Sequence, residues 1–348
     1  MKNKSLILCL ALSLIPFALK AQDLFVAPSP EGWERAEYTH RQADFPKINA
    51  KGEFWFRFQA PPTAQEVVLN VPVAGLQAPM KKDADGFWNV IVTIPKVGFQ
   101  IYYIVVDGVR FLDPGTTPFY GNGFTGTVEV PSPDEDYYVI KDVPHGDVRE
   151  HWFYSDVDKK FRRAFVYTPA GYDEHPELRY PVLYLQHGWG ENEYAWFNQG
   201  KANLIMDNLI AEGKIEPFLV VTTYGMINDV PMGHMNDYTA EDFETVLCDE
   251  LIPYIDSHYK TRSDKWGRAM AGLSMGGYET SIITLRRPEV FGYFGLLSGG
   301  SYSPKDIKDP NQVRGIFIGC GSKENPDAVT KSAADLIAAG ITAQSYVS

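Results

Sequence analysis

The alternation of apolar and amphipathic segments after residue 138 constrains the fold of this chain more than any other sequence feature. Short apolar runs typical of buried strands recur there, and amphipathic segments typical of helices lie between them. The strand candidates are 163–168, 181–186, 218–223, 269–273, 292–297 and 315–318, and the helix candidates are 202–212, 240–259, 275–286 and 327–338. This pattern predicts an α/β domain over 138–348, with a mostly parallel sheet covered by helices on both faces.

The preceding region, 22–130, has a different pattern. Short aromatic-rich runs that alternate polar and apolar residues are separated by turn residues. The run 54–58 reads Phe-Trp-Phe-Arg-Phe, and Asp107 with Gly108 is a strong hairpin-turn signal. Strands at this spacing without helical periodicity predict a small immunoglobulin-like β-sandwich. Residues 131–137, rich in proline and acidic side chains, are the predicted linker between the two domains.

The first 21 residues have the layout of a secretory signal peptide. Lys2 and Lys4 precede an apolar run over 6–19, and Ala21 stands at the expected cleavage position. That run is short for a bilayer span, and no later segment approaches a transmembrane length. We therefore expect an exported protein, secreted or periplasmic, with no membrane span after signal cleavage.

The charge balance argues against nucleic acid as a partner. The chain has 32 Lys and Arg against 44 Asp and Glu, a formal net charge of −12. A surface this acidic repels a phosphate backbone. The aromatic content of 14% is high. Because aromatic rings both fill sandwich cores and stack on sugars or phenolic rings, composition alone leaves these two uses open.

A serine turn carries the clearest chemical signal. Residues 272–276 read Gly-Leu-Ser-Met-Gly, follow the strand candidate 269–273 and open the helix candidate 275–286. A tight strand-to-helix turn presents the serine hydroxyl for attack on a carbonyl once a base removes its proton. A Cβ at either glycine would clash in so sharp a turn, and the Met275 N–H at the helix start can bind a developing oxyanion. Ser274 is therefore the predicted nucleophile.

A glycine-containing loop after the strand candidate 181–186 agrees with this chemistry. Residues 186–190 read Gln-His-Gly-Trp-Gly, and in this type of fold an early strand-loop supplies the second backbone donor to the oxyanion. The N–H of Gly188 or of Trp189 is the predicted donor, and the His187 ring is expected to pack beneath the loop. Trp189 and Trp196 are candidate substrate-binding residues that would floor an aromatic or sugar pocket, with core packing as the alternative for Trp196.

The second domain resembles the esterase D superfamily, in particular carbohydrate esterase family 1, which contains feruloyl and acetyl xylan esterases. The resemblance is carried by the segments 185–190, 203–213, 251–255, 268–277, 291–300 and 318–321. It implies an α/β-hydrolase fold, Ser274 as the nucleophile, and an oxyanion region formed by Gly188, Trp189 and Met275. The implied reaction passes through an acyl-enzyme and needs no metal or organic cofactor.

The first domain resembles E-set domains and family 48 carbohydrate-binding modules through the segments 54–60, 85–88, 106–108 and 113–114. This pairing of domains implies an exported serine esterase that removes feruloyl or acetyl groups from plant cell wall xylan. The implied partner is feruloylated or acetylated xylan, or its oligosaccharides.

The acid of the catalytic triad has two candidates. The family places it, usually as aspartate, just past the strand that ends here at 318–321. The matching position holds Glu324, with Asp327 three residues later. A glutamate can hold an imidazole in the required tautomer, although its extra methylene changes the reach. We take Glu324 as the acid and Asp327 as the alternative, with a solvated loop carboxylate as the competing interpretation.

The sequence has no histidine where the base should be. In this fold the chain order is serine, acid, histidine, and all seven histidines precede Ser274. The resemblance implies a base in the loop after a further strand, and 343–348 reads as the start of that strand. We therefore expect a C-terminally incomplete esterase domain, without its last strand and helix, whose activity is impaired by the absent histidine.

Two other functions stay open from the sequence. A carbohydrate-binding protein with a degenerate esterase domain would account for both the sandwich domain and the absent histidine. A siderophore esterase of the enterochelin type would also pair an N-terminal β domain with this esterase fold. The signal peptide and the sugar-binding resemblance of the first domain count against the siderophore esterase.

Overall fold

The computed structural model describes residues 30–121, 123–132, 136–227, 230–231 and 234–348. The predicted signal peptide, residues 1–21, lies outside the described residues, as does the centre of the predicted linker at 133–135. Within the described ranges, no helix is long and apolar enough to cross a membrane.

The first domain consists of two β-sheets packed face to face. One sheet has the strand order β1-β2-β3-β7-β6, and the other has the order β10-β11-β8-β4-β5 with β9 paired to β8. The strands are β1 Trp33–Arg35, β2 Lys47–Asn49, β3 Glu53–Phe58, β4 Val67–Val71, β5 Leu76–Pro79, β6 Lys81–Lys82, β7 Trp88–Thr93, β8 Gly98–Val106, β9 Val109–Phe111, β10 Phe119–Tyr120 and β11 Phe124–Val130.

Alternation along β3 explains why these sheets pack as a sandwich. Phe54, Phe56 and Phe58 are buried and the residues between them are partly exposed, because successive side chains of a strand point to opposite faces. Across the interface, the Phe56 ring meets the Tyr102 ring of β8 with centroids 4.8 Å apart. The two inner faces form one hydrophobic cluster, so the predicted sandwich is confirmed.

The second domain is built on one eight-stranded sheet with the order β12-β13-β15-β14-β16-β17-β18-β19. β12 and β13 are antiparallel to their neighbours, whereas the other six strands are mutually parallel. The strands are β12 Asp147–Ser155, β13 Lys160–Thr168, β14 Val182–Gln186, β15 Leu219–Thr223, β16 Arg268–Leu273, β17 Tyr293–Leu297, β18 Gly315–Cys320 and β19 Ala343–Val347. The helices are α1 Ala195–Asn198, α2 Ala202–Ala211, α3 Glu241–Thr245, α4 Ile252–His258, α5 Met275–Arg286 and α6 Pro326–Ala338, and a π-helical turn, Val246–Leu251, joins α3 to α4.

Helices cover both faces of this sheet, as the alternation predicts. On one face, the continuous helical stretch from α3 to α4 packs Phe243, Leu247 and Leu251 against the core. On the other face, Met206 of α2 packs against Val220 of β15 in a separate cluster. The strand order and the covered faces confirm the α/β-hydrolase class of the fold.

Two strands differ from expectation. β12 was not predicted, because the charged residues of Asp147–Ser155 lie in its first half and three consecutive aromatic residues, 152–154, follow, so polar and apolar residues do not alternate, and most of its side chains are exposed or half-buried. The expectation that a strand starts within 343–348 is confirmed, and that strand is present rather than missing: β19 pairs with β18 over five residues, from Ala343 opposite Ile316 to Val347 opposite Cys320. The buried Ile341 just before β19 anchors this edge strand to the core.

Candidate active site

Ser274 lies in a strained turn between β16 and α5. Its backbone has φ 53° and ψ −107°, in the positive-φ region that a residue with a Cβ rarely adopts. The Ser274 N–H donates to the Leu297 carbonyl at 2.8 Å, which ties the turn to the end of β17. The turn therefore holds the serine at the carboxyl edge of the sheet, as the Gly-Leu-Ser-Met-Gly pattern predicts.

The glycines beside Ser274 let three backbone segments meet. A Cβ built on Gly272 would lie 2.3 Å from the Gly276 backbone, and one on Gly276 would lie 2.7 Å from the Gln186 side chain and backbone. A Cβ on Gly277 would lie 2.5 Å from the Gly299 Cα. These distances are shorter than any real Cβ contact, so the turn closes only with glycine at these positions.

The backbone donors of the predicted oxyanion region are not equivalent. The Gly188 N–H donates to Glu191 Oε2 at 2.9 Å and is therefore occupied. No hydrogen bond within the described residues uses the Trp189 N–H, and Met275, as the first residue of α5, has no partner for its N–H inside the helix. The geometry thus favours Trp189 and Met275 as the two available donors.

The loop that carries these donors is fixed by a buried histidine. His187 is 1% exposed, and burial lowers the pKa of its imidazole. Its Nε2 accepts from the Gly225 N–H at 3.2 Å, so the ring proton is on Nδ1 and is donated to the Gly188 carbonyl at 2.8 Å. The ring packs beneath the loop, as expected, and its two hydrogen bonds position the backbone of Gly188 and Gly225.

The two candidate substrate-binding tryptophans have different surroundings. Trp189 packs with Met226, Tyr238 and Met275 beside the serine. Trp196 packs against the cluster that supports β14, and its Nε1–H donates to the Gln186 carbonyl at 2.8 Å. Trp189 is therefore next to the predicted nucleophile, whereas Trp196 supports the strand that precedes the oxyanion loop.

A pocket of about 400 Å³ opens over Ser274. Its walls combine aromatic, thioether and small polar groups: Met235, Asn236, Tyr238, Met275, Tyr278, Ser298 and Gly299. Aromatic and thioether groups beside a few polar groups are a common lining of small-molecule sites.

A buried carboxyl beneath this pocket was not predicted. Glu279 of α5 is 0% exposed, and burial raises the pKa of its carboxyl well above the ordinary value. The Tyr238 hydroxyl oxygen lies 2.6 Å from Glu279 Oε1 and 3.0 Å from the Gly225 carbonyl oxygen. This hydroxyl has a single proton, so it can donate to only one of the two oxygens. If the raised pKa keeps Glu279 protonated, Oε1 can donate to Tyr238 and Tyr238 can donate to Gly225, which leaves Glu279 Oε2 as the one atom of this chain of hydrogen bonds without a partner among the described residues. The signal was present in the sequence, because position 279 falls on the buried stripe of the helix with 276 and 283.

Of the two predicted triad acids, only Glu324 contacts a residue of the pocket. Glu324 Oε1 accepts from the Ser298 hydroxyl at 2.8 Å and from the Gly321 N–H at 3.0 Å. Ser298 lines the pocket together with Ser274. Asp327 is exposed in the first turn of α6, where a negative charge interacts favourably with the helix dipole.

All seven histidines are among the described residues, and no hydrogen bond between described residues joins any of them to the Ser274 hydroxyl. His234 precedes the pocket residue Met235 in the chain, but its side chain is exposed and its Nδ1 lies 3.2 Å from Asp237 Oδ2. The Nδ1 of His258 forms its hydrogen bonds within its own helix, with the Ser257 hydroxyl and the Tyr254 carbonyl. In the described part of the chain, no group of three or more His, Cys, Asp or Glu side chains could hold a metal ion.

Comparisons with known proteins add an evolutionary context to this geometry. Residues 157–331 match the model of a family described as "Putative esterase". Over 312 residues the chain is 50% identical to an endo-1,4-β-xylanase/feruloyl esterase of Xylanibacter ruminicola, a match that covers 88% of the chain and 43% of that relative. It is 34% identical over 155 residues to endo-1,4-β-xylanase Y of Acetivibrio thermocellus, covering 40% of the chain and 14% of that relative. The chain thus spans less than half the length of these curated relatives.

Two solved structures show how far the fold extends. A ferulic acid esterase superposes with a TM-score of 0.51 at 25% identity and covers 59% of this chain and 90% of its own. The enterobactin esterase of Shigella flexneri superposes with a TM-score of 0.63 at 17% identity and covers 92% of this chain and 91% of its own. At 17% identity the second likeness concerns the fold alone, and it extends across both domains.

Proposed function

The chain belongs to the esterase family, and from this premise we propose that it is a serine carboxylic-ester hydrolase that removes feruloyl or acetyl groups from xylan side chains. The observation that carries the proposal is the strained Ser274 turn, with two available backbone donors beside it and a pocket above it. In the proposed reaction the Ser274 oxygen attacks the ester carbonyl and the Trp189 and Met275 N–H groups stabilise the oxyanion. The sugar alcohol leaves, and water then hydrolyses the acyl-enzyme.

The pocket supports a feruloyl group over an acetyl group as the acyl half of the substrate. A volume of about 400 Å³ is far larger than an acetyl group needs. Tyr238 and Tyr278 offer ring contacts to a phenolic ring. The relative from Xylanibacter ruminicola, named a feruloyl esterase, is consistent with this preference.

Proton transfer is the incomplete part of the proposed site. Glu324 is the proposed triad acid, because its carboxylate reaches the pocket through Ser298. The proposed base is a histidine that none of residues 1–348 supplies beside Ser274. Because triad members act as a unit, we expect these 348 residues alone to hydrolyse esters about three to six orders of magnitude more slowly than a protein with a complete triad.

The remaining parts of the proposal concern location and the first domain. The layout of residues 1–21 supports export to the periplasm or the medium. The resemblance of the first domain to family 48 carbohydrate-binding modules supports xylan or its oligosaccharides as the partner.

Hydrolysis of three substrates tests the proposed function. Methyl ferulate, acetylated xylan and a catecholate trilactone are each incubated with the purified protein, with and without added imidazole to replace the missing base. Ser274→Ala is the matched control, because imidazole alone also cleaves esters slowly. We expect methyl ferulate to be the best substrate, imidazole to raise its hydrolysis, and the variant to show no rate above the imidazole background.

Two results would contradict the proposal. Equal rates for the Ser274→Ala variant and the unchanged protein would remove the serine mechanism and favour a carbohydrate-binding protein. Preferential cleavage of the trilactone would instead favour a siderophore esterase.

A further inference from the structure

A cleft of about 550 Å³ lies between the two domains, next to the Ser274 pocket. The hairpin of β12 and β13 forms one side of this cleft, and the loop after β14 forms another. Tyr120 of β10 reaches the cleft from the first domain. The second domain therefore supplies every residue that lines the cleft except Tyr120, and Trp189 is shared with the surroundings of Ser274.

Exposed aromatic rings cover the outer face of the β12–β13 hairpin. Trp152, Tyr154 and Phe161 are 53%, 50% and 65% exposed. Trp152 is opposite Arg163 and Tyr154 is opposite Phe161, and directly opposite residues of an antiparallel pair share a face. Trp152 and Phe161 line the cleft. A group of exposed rings on one face indicates a binding surface rather than scattered surface residues.

A fixed guanidinium lies among these rings. Arg163 Nε and Nη2 donate to Glu193 Oε1 at 2.8 and 2.6 Å. The guanidinium carbon lies 5.2 Å from the Trp152 ring centroid and 4.4 Å from that of Tyr194. Nη1 is 3.9 Å from Glu150, beyond hydrogen-bond distance, and so remains able to donate to a ligand oxygen. Ring faces beside planar hydrogen-bond donors match the apolar faces and hydroxyl edges of a pyranose.

The cleft and the Ser274 pocket share one wall. Trp189 lines the cleft, and it also packs against Tyr238 and Met275, which line the pocket. An ester bound at Ser274 has an acyl half and an alcohol half that extend in different directions from the carbonyl. With the acyl half in the pocket, the alcohol half can pass over Trp189 into the cleft.

One nearly buried ion pair and one partly exposed ion pair join the first domain to the second. Lys201 Nζ lies 3.2 Å from Glu37 and 3.2 Å from Glu129, both in the first domain, and the side chains of Lys201 and Glu129 are nearly buried. The Gln199 side-chain amide donates to the Tyr120 carbonyl at 3.3 Å. Because an unpaired buried charge is strongly unfavourable, these contacts oppose displacement of Tyr120 from the cleft.

We propose that this interdomain cleft binds the neutral sugar chain that carries the ester, with the Trp152 and Phe161 rings stacked on pyranose faces. Arg163 donates to sugar oxygens, and Tyr120 contributes a ring from the first domain. The proposal rests on the proposed function for the identity of the chain, which is a xylan-type glycan. It can be tested by binding alone, without hydrolysis.

Calorimetric titration with an arabinoxylan oligosaccharide that carries no feruloyl groups tests the cleft. The Ser274→Ala protein is the reference, and Trp152→Ala with Phe161→Ala is the cleft variant. Tyr293→Ala is the matched control, because Tyr293 is an exposed ring at the amino end of β17, at the opposite edge of the sheet from Ser274. We expect the dissociation constant to rise about tenfold or more in the cleft variant, about threefold in Tyr120→Ala, and not at all in the control.

The possible outcomes separate the cleft from the esterase. Unchanged glycan binding by the cleft variant, with thermal unfolding confirming that it is folded, would overturn the cleft proposal and leave the esterase function untouched. Binding of free ferulate in place of the glycan, lost in the same variant, would also overturn it by assigning the cleft to the acyl group. Loss of serine-dependent hydrolysis with intact glycan binding would instead contradict the proposed function and leave the cleft in place.

Discussion

The two sides of Ser274 are built in opposite ways. On the oxyanion side, the Gly188 loop and the start of α5 pack backbone against backbone, with His187 and Glu279 buried beneath them. On the acid side, Glu324 is exposed and reaches the pocket through one hydroxyl of Ser298. On the first side, the packing around Gly272, Gly276 and Gly277 leaves no room for a methyl group. The second side is held by a few hydrogen bonds at the surface.

Because of this difference, the two sides contribute differently to catalysis and to the stability of the fold. Packing on the oxyanion side fixes the positions of the N–H groups before substrate binds, which is the condition for strong electrostatic stabilisation. The acid side contributes little to folding, because hydrogen bonds of exposed groups compete with water. Substitutions on the oxyanion side should therefore change stability, and substitutions on the acid side should change activity.

The largest expected effect is on the activity of the acid side. In a chain extended past Ser348 by a loop that carries one histidine, we expect Glu324→Gln to lower kcat for methyl ferulate by about 10³- to 10⁴-fold, because an amide favours the wrong imidazole tautomer. The free energy of unfolding should change by less than about 0.5 kcal/mol, as is usual for a surface position. Steady-state kinetics and urea unfolding measure the two quantities.

Asp327→Asn is the matched control for this experiment. We expect it to stay within about twofold of the parent kcat, because Asp327 is exposed on the first turn of α6 and away from Ser298. A larger loss in Asp327→Asn than in Glu324→Gln would reverse the assignment of the acid. An extended chain no faster than residues 1–348 would contradict the proposed need for a histidine after β19.

On the oxyanion side, the largest expected effect is on stability. Gly272→Ala places a Cβ 2.3 Å from the Gly276 backbone, and neither segment can move without displacing a strand or a helix. We expect a loss of about 3 kcal/mol in the free energy of unfolding, as for severe overpacking of a core. Gly188→Ala is the control: its Cβ would meet no atom closer than 3.4 Å, so we expect a loss below about 1 kcal/mol. Equal losses in both variants by urea unfolding would show that the turn is not held by close packing.

The same difference decides what could be predicted from the sequence. The Ser274 turn was predictable, because a close backbone approach requires glycines at fixed spacing and leaves them visible in the sequence. The sequence left two candidates for the triad acid, Glu324 and Asp327. It could not choose between them, because the position of an exposed loop carboxylate requires no particular neighbouring residues. Pairs formed across long separations, such as Tyr238 with Glu279, leave no local pattern. The unpredicted strand β12 shows a related failure, since its charged first half and aromatic second half do not give the alternation that marks a half-buried strand.

The smallest expected effect concerns the pH dependence of the buried carboxyl on the oxyanion side. Burial raises the pKa of Glu279 in the folded protein above its ordinary value of 4.5, so the folded state binds a proton that the unfolded state has lost. As the pH rises above about 4.5, this difference destabilises the native protein by up to about 1.4 kcal/mol per pH unit until the folded pKa is reached. Glu279→Gln has no such penalty, and its amide can donate to the Tyr238 oxygen as the protonated carboxyl does.

We therefore expect Glu279→Gln to match the parent within about 0.5 kcal/mol near pH 4.5 and to become progressively more stable than the parent as the pH rises towards 8. Urea unfolding across this pH range measures the difference. Glu324→Gln, the same replacement of a carboxyl by an amide on the acid side, is carried through the same series as the matched control. If the Glu279→Gln difference stays constant with pH, the carboxyl titrates alike in both states, and the chain of hydrogen bonds from Glu279 through Tyr238 to Gly225 is not the one described. A growing difference would show that the oxyanion side of Ser274 is organised around a neutral acid.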